Sequence, residues 1–202
     1  MSLHDRRLYL LFTPTRCATD PWDTLTAALD GGVDLVQWRT AEADHVGFQR
    51  CRTTCQRAGV PLIVNDDVML AVRGRADGAH VGQDDMPADA ALRLLGKRWL
   101  GVSTHDLPQI ARAIAAGADY VGFGPCHPTT TKGYTEGKSL ADVEAATIAA
   151  NSRRVPLFAI GGITATNLPA LRMHGVDRIA VSNAILQSAD PRRAAEQLRR
   201  LL

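Results

Sequence analysis

The chain has 202 residues, 46% of them hydrophobic and 22% charged, enough to bury one substantial core. With Lys and Arg together at 23 against 21 Asp and Glu, the net charge of +2 is spread thinly, which excludes the dense basic footprint of a nucleic-acid or membrane-surface binder.

Apolar runs with strand character occur at Leu8–Phe12, Val33–Trp38, Pro61–Val64, Gly78–Val81, Trp99–Val102, Tyr120–Phe123, Pro156–Ile160 and Arg178–Val181. Between them, helical patterns cover Trp22–Asp30, Asp44–Ala58, Val68–Arg73, Ala88–Leu95, Leu107–Ala116, Leu140–Ala150, Thr166–His174 and Ala184–Gln187, and Pro191–Leu202 closes the series. Eight strand–helix units of roughly 25 residues predict a (β/α)8 barrel with a parallel eight-stranded sheet, spanning residues 1–202 as one domain. Three helix-to-strand junctions share a spelling, Gly31-Gly-Val-Asp34, Gly117-Ala-Asp119 and Gly175-Val-Asp177. In each, a glycine is expected to end the helix in the left-handed conformation while the Asp opens the strand.

Active sites of such barrels lie at the carboxyl ends of the strands, so the chemistry is expected from the residues that end each strand. The second strand offers Gln37 and Arg39, two apart and so on one face; a guanidinium fork suits a diphosphate, while an Arg39–Glu42 ion pair is the plainer alternative. The third and fourth strands end in acidic clusters, Asn65-Asp66-Asp67 and Gln83-Asp84-Asp85. One such cluster would read as a helix cap, since Asp is a favoured N-cap. Two in phase, one strand–helix–strand unit apart, point to a Mg²⁺ site built on Asp66 and Asp85. His80, just before the fourth strand end, reads as a satisfied core histidine. Ser103-Thr104-His105 after the fifth strand supplies hydroxyls for a helix cap or a phosphate.

The longest irregular stretch, Gly124 to Lys138, carries Thr129, Thr130, Thr131 and Lys132, a set of hydroxyls and an ammonium suited to phosphate, in a loop long enough to act as a lid. Gly161-Gly162 and Ser182-Asn183 end the last two strands, where barrels commonly hold a phosphate on backbone amides. Gly162 is the stronger candidate for close approach to an anion.

Cys17, Cys51, Cys55 and Cys126 form no C-x-x-C pair, and Cys51 and Cys55 share a helix face; a reducing compartment and buried or half-exposed thiols are expected. The start of the chain reaches apolar residues only over Leu8 to Phe12, too short for a signal segment or a span, so a cytoplasmic location is expected. Arg192-Arg193 and Arg199-Arg200 read as a solvated helix face.

Gln37-x-Arg39, Asn65-Asp66, His80-Val-Gly-Gln-Asp-Asp85, Gly101-Val-Ser103, Gly122-Phe-Gly-Pro125, Pro128-Thr-Thr-Thr-Lys132, Ile160-Gly-Gly-Ile163 and Val181-Ser182 occur in one order over nearly the whole chain. Together they resemble the thiamine-phosphate synthase family. That resemblance implies a Mg²⁺-dependent transferase joining 4-amino-2-methyl-5-(diphosphooxymethyl)pyrimidine to a thiazole phosphate or thiazole carboxylate, by departure of the diphosphate and capture of a pyrimidine methyl cation. It implies Asp66 and Asp85 as metal ligands and Gln37, Arg39, Asn65, Ser103 and Lys132 as contacts to the pyrimidine diphosphate, with Arg39, Lys132 and Ser103 assisting catalysis. Thr129, Thr130, Thr131, Gly162, Val181 and Ser182 resemble the thiazole phosphate site. The partners are then small phosphorylated molecules, without nucleic acid or membrane; family members are often homo-oligomers.

One position departs from the pattern: Ala41 stands where a second basic residue, typically Lys, follows Gln-x-Arg. The related thiazole tautomerase is a second reading. It resembles the synthase in fold, needs no Mg²⁺ and uses a histidine in the strand-six loop; the matching place here is Pro125, with His127 two residues on. A non-catalytic phosphate-binding barrel is a third.

Overall fold

The computed structural model describes residues 2–128 and 136–202. Its elements alternate as β1 (Leu8–Phe12), α1 (Pro21–Asp30), β2 (Leu35–Trp38), α2 (His45–Ala58), β3 (Leu62–Asn65), α3 (Val68–Arg73), β4 (Gly78–Val81), α4 (Ala88–Leu95) and β5 (Trp99–Thr104). They continue as α5 (Leu107–Ala115), β6 (Tyr120–Phe123), α6 (Leu140–Ser152), β7 (Leu157–Ile160), α7 (Leu168–Met173), β8 (Ile179–Val181), α8 (Asn183–Leu186) and α9 (Pro191–Leu201). The strands pair in parallel in sequence order, and β8 returns to β1, so the sheet is a closed (β/α)8 barrel as expected. Observed ends differ from the expected ones by a residue or two. Pro61 and Pro156 cannot donate to the ladder, so β3 and β7 start just after them. Asp44 accepts from the Gly47 N–H as the N-cap of α2 rather than its first residue.

Strand side chains alternate between two cores. Leu8, Leu10 and Phe12 of β1 face the helices, together with Trp38, Val64, Val81 and Phe123 of other strands. Tyr9, Leu11, Leu35, Ile63, Tyr120, Phe158 and Ala180 point inward and plug the barrel. Within this plug the rings of Tyr9, Tyr120 and Phe158 meet edge to face at centroid distances of 5.3 to 5.9 Å, each pair adding about 0.5–1.5 kcal/mol beyond simple burial. The plug is the floor on which the cavity rests.

The amino-terminal end of the barrel is held by carboxylates. Asp34 Oδ1 accepts from the N–H of Leu8 at 2.9 Å, Asp77 Oδ2 from Leu62 at 2.8 Å and Asp119 Oδ2 from Leu100 at 2.8 Å. Each Asp leads into an even-numbered strand and ties it to the strand before. Two residues ahead of each stands a left-handed residue: Gly32 at φ 99°, Arg75 at 54° and Gly117 at 90°, with Gly175 at 82° before Asp177. The expected glycine turn is therefore present, but in the first junction it is Gly32 that turns left. Gly31 is right-handed, and is a glycine because a methyl group there would strike the Arg192 carbonyl of α9. At β4 an arginine holds the position. Ahead of β3 and β7 the spelling is Gly59-Val-Pro-Leu62 and Arg154-Val-Pro-Leu157, with φ of 66° at Gly59 and 58° at Arg154.

Asp34 also pairs with Arg199 at 2.6 Å, so one arginine of the carboxy-terminal helix clamps the barrel instead of lying on a purely solvated face. Removal of the Asp34 carboxylate would strip partners from the N–H groups of Arg7 and Leu8 and from Arg199. Asp34→Ala is expected to cost about 2–3 kcal/mol, lowering Tm by several degrees, and to leave the carboxyl-terminal mouth of the barrel unaltered because the carboxylate sits at the opposite end. A thermal melt within a degree of the parent would contradict this.

Candidate active site

The carboxyl ends of the strands surround a cavity of about 310 Å³. Of the expected contacts, Gln37, Arg39, Asn65, Ser103, Gly162, Val181 and Ser182 all line it. The barrel register explains the gathering: Asn65 lies beside His80, His80 beside Gly101, and Ser103 beside Gly122, so inward positions of β3 to β6 reach the mouth at similar heights. Thr129, Thr130, Thr131 and Lys132, and with them the middle of the expected lid, lie outside the described residues.

On the β2–β3 side, Arg39 Nη1 donates to Asn65 Oδ1 at 3.0 Å rather than pairing with Glu42. Asn65 Nδ2 in turn donates to Asp66 Oδ2 at 2.5 Å. Asp66 adopts φ 62°, and its N–H donates to the His80 carbonyl at 2.8 Å, so the backbone swerves at the end of β3 and is stitched to β4. Asp85 Oδ2 accepts from Gly82 N–H at 2.7 Å. Asp66 and Asp85 are exposed on the loops that follow adjacent strands, at the rim of the cavity and not in its wall. Helix capping accounts for Asp67, which accepts from the Leu70 N–H, but not for Asp84 or Asp85, because the N-cap of α4 is Pro87. Among the described residues no group of three or more His, Cys, Asp or Glu converges on one point.

On the β7–β8 side, Gly161 and Gly162 have φ of 99° and 60°. A methyl group on Gly162 would collide with the Pro128 carbonyl at 2.5 Å, so glycine is required on both counts. The Gly162 carbonyl accepts from Asn167 Nδ2 at 2.9 Å, whereas the N–H groups of Gly162, Asn183 and Ala184 have no acceptor among the described residues. Ser182 is the N-cap of α8 without a capping side-chain bond, and the buried Asn183 Oδ1 has no hydrogen-bond partner among the described residues. This wall is a donor surface for an anion. Val181 packs its side chain into the outer core, so it offers the cavity backbone only.

Beneath the cavity lie two residues that sequence reasoning missed, Tyr9 and Tyr120, in a chain with three that it named. Gln37 Nε2 donates to Tyr9 Oη at 2.8 Å, Tyr9 Oη meets Tyr120 Oη at 2.9 Å, Tyr120 Oη meets His80 Nδ1 at 3.2 Å, and His80 Nε2 meets Ser103 Oγ at 2.9 Å. His80 is thus a satisfied buried histidine, as expected, and also part of the cavity wall. Burial pushes the phenols of Tyr9 and Tyr120 well above the ordinary tyrosine range, so both stay protonated. Glycines make the room: a methyl group on Gly101 would overlap the Tyr120 ring and crowd His80 Nδ1. Inward-facing Gly101 and Gly122 between Tyr120, His80 and Ser103 were the signal available in the sequence. Thr104 Oγ1 donates to the Gly122 carbonyl, and Asp106 caps α5, which leaves Ser103 alone of the hydroxyl pair for the cavity.

All four cysteines are reduced; Cys51, Cys55 and Cys126 are buried, and burial raises the Cys51 and Cys126 thiols, the latter to about 12. Among the described residues no helix is long and apolar enough to cross a membrane.

A family model described as thiamine monophosphate synthase matches residues 8–185. A thiamine-phosphate synthase of Bacillus velezensis is 38% identical over 208 residues, covering 96% of this chain and 91% of its own. One from Prochlorococcus marinus is 44% identical over 180 residues, covering 87% of this chain but 50% of its own, so the chain spans about half of that relative. Among solved structures, the thiamine phosphate pyrophosphorylase from Pyrococcus furiosus superposes with a TM-score of 0.88 at 28% identity, over 99% of this chain and 97% of that one.

Proposed function

The chain belongs to the thiamine monophosphate synthase family, and from that premise we propose that it joins a pyrimidine methyl diphosphate to a thiazole phosphate, giving thiamine phosphate and pyrophosphate. One observation carries the substrate reading: one cavity has a guanidinium, amides and a hydroxyl on the β2–β5 side and, on the β7–β8 side, backbone N–H groups without an acceptor among the described residues. Two anionic groups can be held there with the reacting atoms between them.

On this reading Arg39, Asn65, Gln37 and Ser103 receive the pyrimidine diphosphate, with Lys132 joining them, and Gly162, Ser182, Thr129, Thr130, Thr131 and the Val181 backbone receive the thiazole phosphate. The carbon–oxygen bond to the diphosphate breaks, and the thiazole nitrogen donates its lone pair to the pyrimidine methylene carbon. That nitrogen carries no proton, so no base is required, and a site rich in donors suits the reaction. Arg39 stabilises negative charge growing on the leaving group. Asp66 and Asp85 fit Mg²⁺: two carboxylates after adjacent strands, with no full cage among the described residues, match an ion that completes its shell with water and substrate phosphate. When bound, the ion would neutralise charge on the departing diphosphate. Asp66 and Asp85 argue against the tautomerase alternative, and the curated relatives' names agree with the synthase. Four reduced cysteines support a cytoplasmic setting.

Incubation of the protein with both substrates and Mg²⁺ should yield thiamine phosphate and one pyrophosphate per turnover, followed by chromatography. No product over many enzyme equivalents would reject the reading. Ala41, on the exposed stretch after β2, offers a second test. Ala41→Lys should raise kcat/KM for the pyrimidine diphosphate about tenfold, equivalent to about 1.4 kcal/mol, and leave KM for the thiazole phosphate unchanged. An unchanged kcat/KM would show that position 41 takes no part in diphosphate binding.

A further inference from the structure

The five side chains under the cavity come from five different strands, and their hydrogen-bonding capacities leave one consistent direction for the protons. Gln37 Nε2 can only donate, so Tyr9 Oη accepts from it. A phenol owns one proton, and the remaining partner of Tyr9 is Tyr120 Oη at 2.9 Å, so Tyr9 donates there. Tyr120 then donates to His80 Nδ1 at 3.2 Å. A neutral imidazole that accepts at Nδ1 carries its proton at Nε2, which is donated to Ser103 Oγ at 2.9 Å. The lone pair of Ser103 being occupied from below, its own proton is released towards the cavity that Ser103 lines.

We propose that Gln37, Tyr9, Tyr120 and His80 form a polarised relay that holds Ser103 as a hydrogen-bond donor to the anionic oxygens of the leaving diphosphate; the identity of that anion rests on the synthase reading. The opposite polarity would spend the Ser103 proton on His80 Nε2 and turn only oxygen lone pairs towards an anion. Tyr9, Tyr120 and His80 are positioning residues, since they act through Ser103, and a chain of such bonds in a low-dielectric interior reinforces its own direction. The missing side chain at Gly101 is what lets Tyr120 and His80 lie against each other.

The decisive measurement is long-range ¹H–¹⁵N correlation on protein labelled with [¹⁵N]histidine, the His80 signal being the one lost in His80→Gln. At neutral pH, without substrate, His80 should show a protonated Nε2 and a bare Nδ1. A proton on Nδ1, or on both nitrogens, overturns the relay. The measurement does not depend on turnover, so a protein that failed to make thiamine phosphate would refute the synthase reading while the relay was still decided. The kinetic arm uses Tyr120→Phe, expected to lower kcat about fivefold to tenfold with KM for the thiazole phosphate unmoved. In the Ser103→Ala background the same change should add nothing, because its effect passes through Ser103; independent losses that multiply would overturn the proposal. If Tyr120→Phe fails to fold, Tyr9→Phe replaces it in the same cycle, with the same two outcomes.

Discussion

Asp66→Asn and Asp85→Asn are each expected to reduce Mg²⁺-dependent turnover on the order of a hundredfold, with the thermal transition hardly moved. Asparagine is the informative replacement. Asp66 holds φ 62°, a conformation that Asn tolerates and Ala does not, so an alanine variant would mix backbone strain with loss of charge. Asp85→Asn keeps a side-chain oxygen for the Gly82 N–H that Asp85 now binds at 2.7 Å. Each variant therefore removes a negative charge and little else. Steady-state rates across a Mg²⁺ titration check the expectation, and partial recovery at high Mg²⁺ should accompany the loss. Parent-like activity in both variants at every Mg²⁺ concentration would dismiss the carboxylates as a metal site.

The second large effect is expected at Arg39. Arg39→Met preserves most of the aliphatic stem while deleting the guanidinium, and kcat/KM for the pyrimidine diphosphate should fall by about one to two orders of magnitude, the equivalent of about 1.5–3 kcal/mol for a charged hydrogen bond. Arg39→Lys should recover only part of this, because an ammonium offers a point charge in place of a fork. The Asn65 amide, which Arg39 now holds at 3.0 Å, would be freed to turn, so a modest rise in KM on top of the lost kcat is expected. Loss confined to the thiazole phosphate, with the diphosphate unaffected, would exchange the two sides of the site as assigned.

The barrel was readable because every strand is an apolar run closed by polar or glycine residues, a consequence of strands buried on both faces. The rim carboxylates and Arg39 were readable for a related reason: where an apolar run stops, the chain has reached the mouth. What escaped were features created by closure. Tyr9 and Tyr120 are 111 positions apart and meet only when β1 and β6 face each other across the interior, so neither tyrosine carries a local sign of its partner. Left-handed glycines could be anticipated from the junction spelling, but Arg75 and Arg154 could not, since nothing in an arginine marks a positive φ. Arg199 read as surface charge because its partner, Asp34, lies 165 positions away.

The repeated spelling ahead of β3 and β7 reaches further than local stability. Those strands stand four apart in a ring of eight, and aligning Leu62 with Leu157 sets Asp66 opposite Gly161, two residues with φ of 62° and 99°. At this pair of positions the backbone turns left on opposite sides of the barrel, and the paths then part, Asp67 returning to φ −83° while Gly162 stays left-handed at 60°. On one side the swerve carries a carboxylate; on the other it carries no side chain and is followed by the Gly162 amide, which has no acceptor among the described residues. Two left-handed turns thus present opposite electrostatic signs to the two sides of one cavity. On the reading argued above, the carboxylate that helps hold a metal-bound diphosphate then stands across the barrel from the glycine amide that receives the second phosphate, and the reacting atoms meet between them.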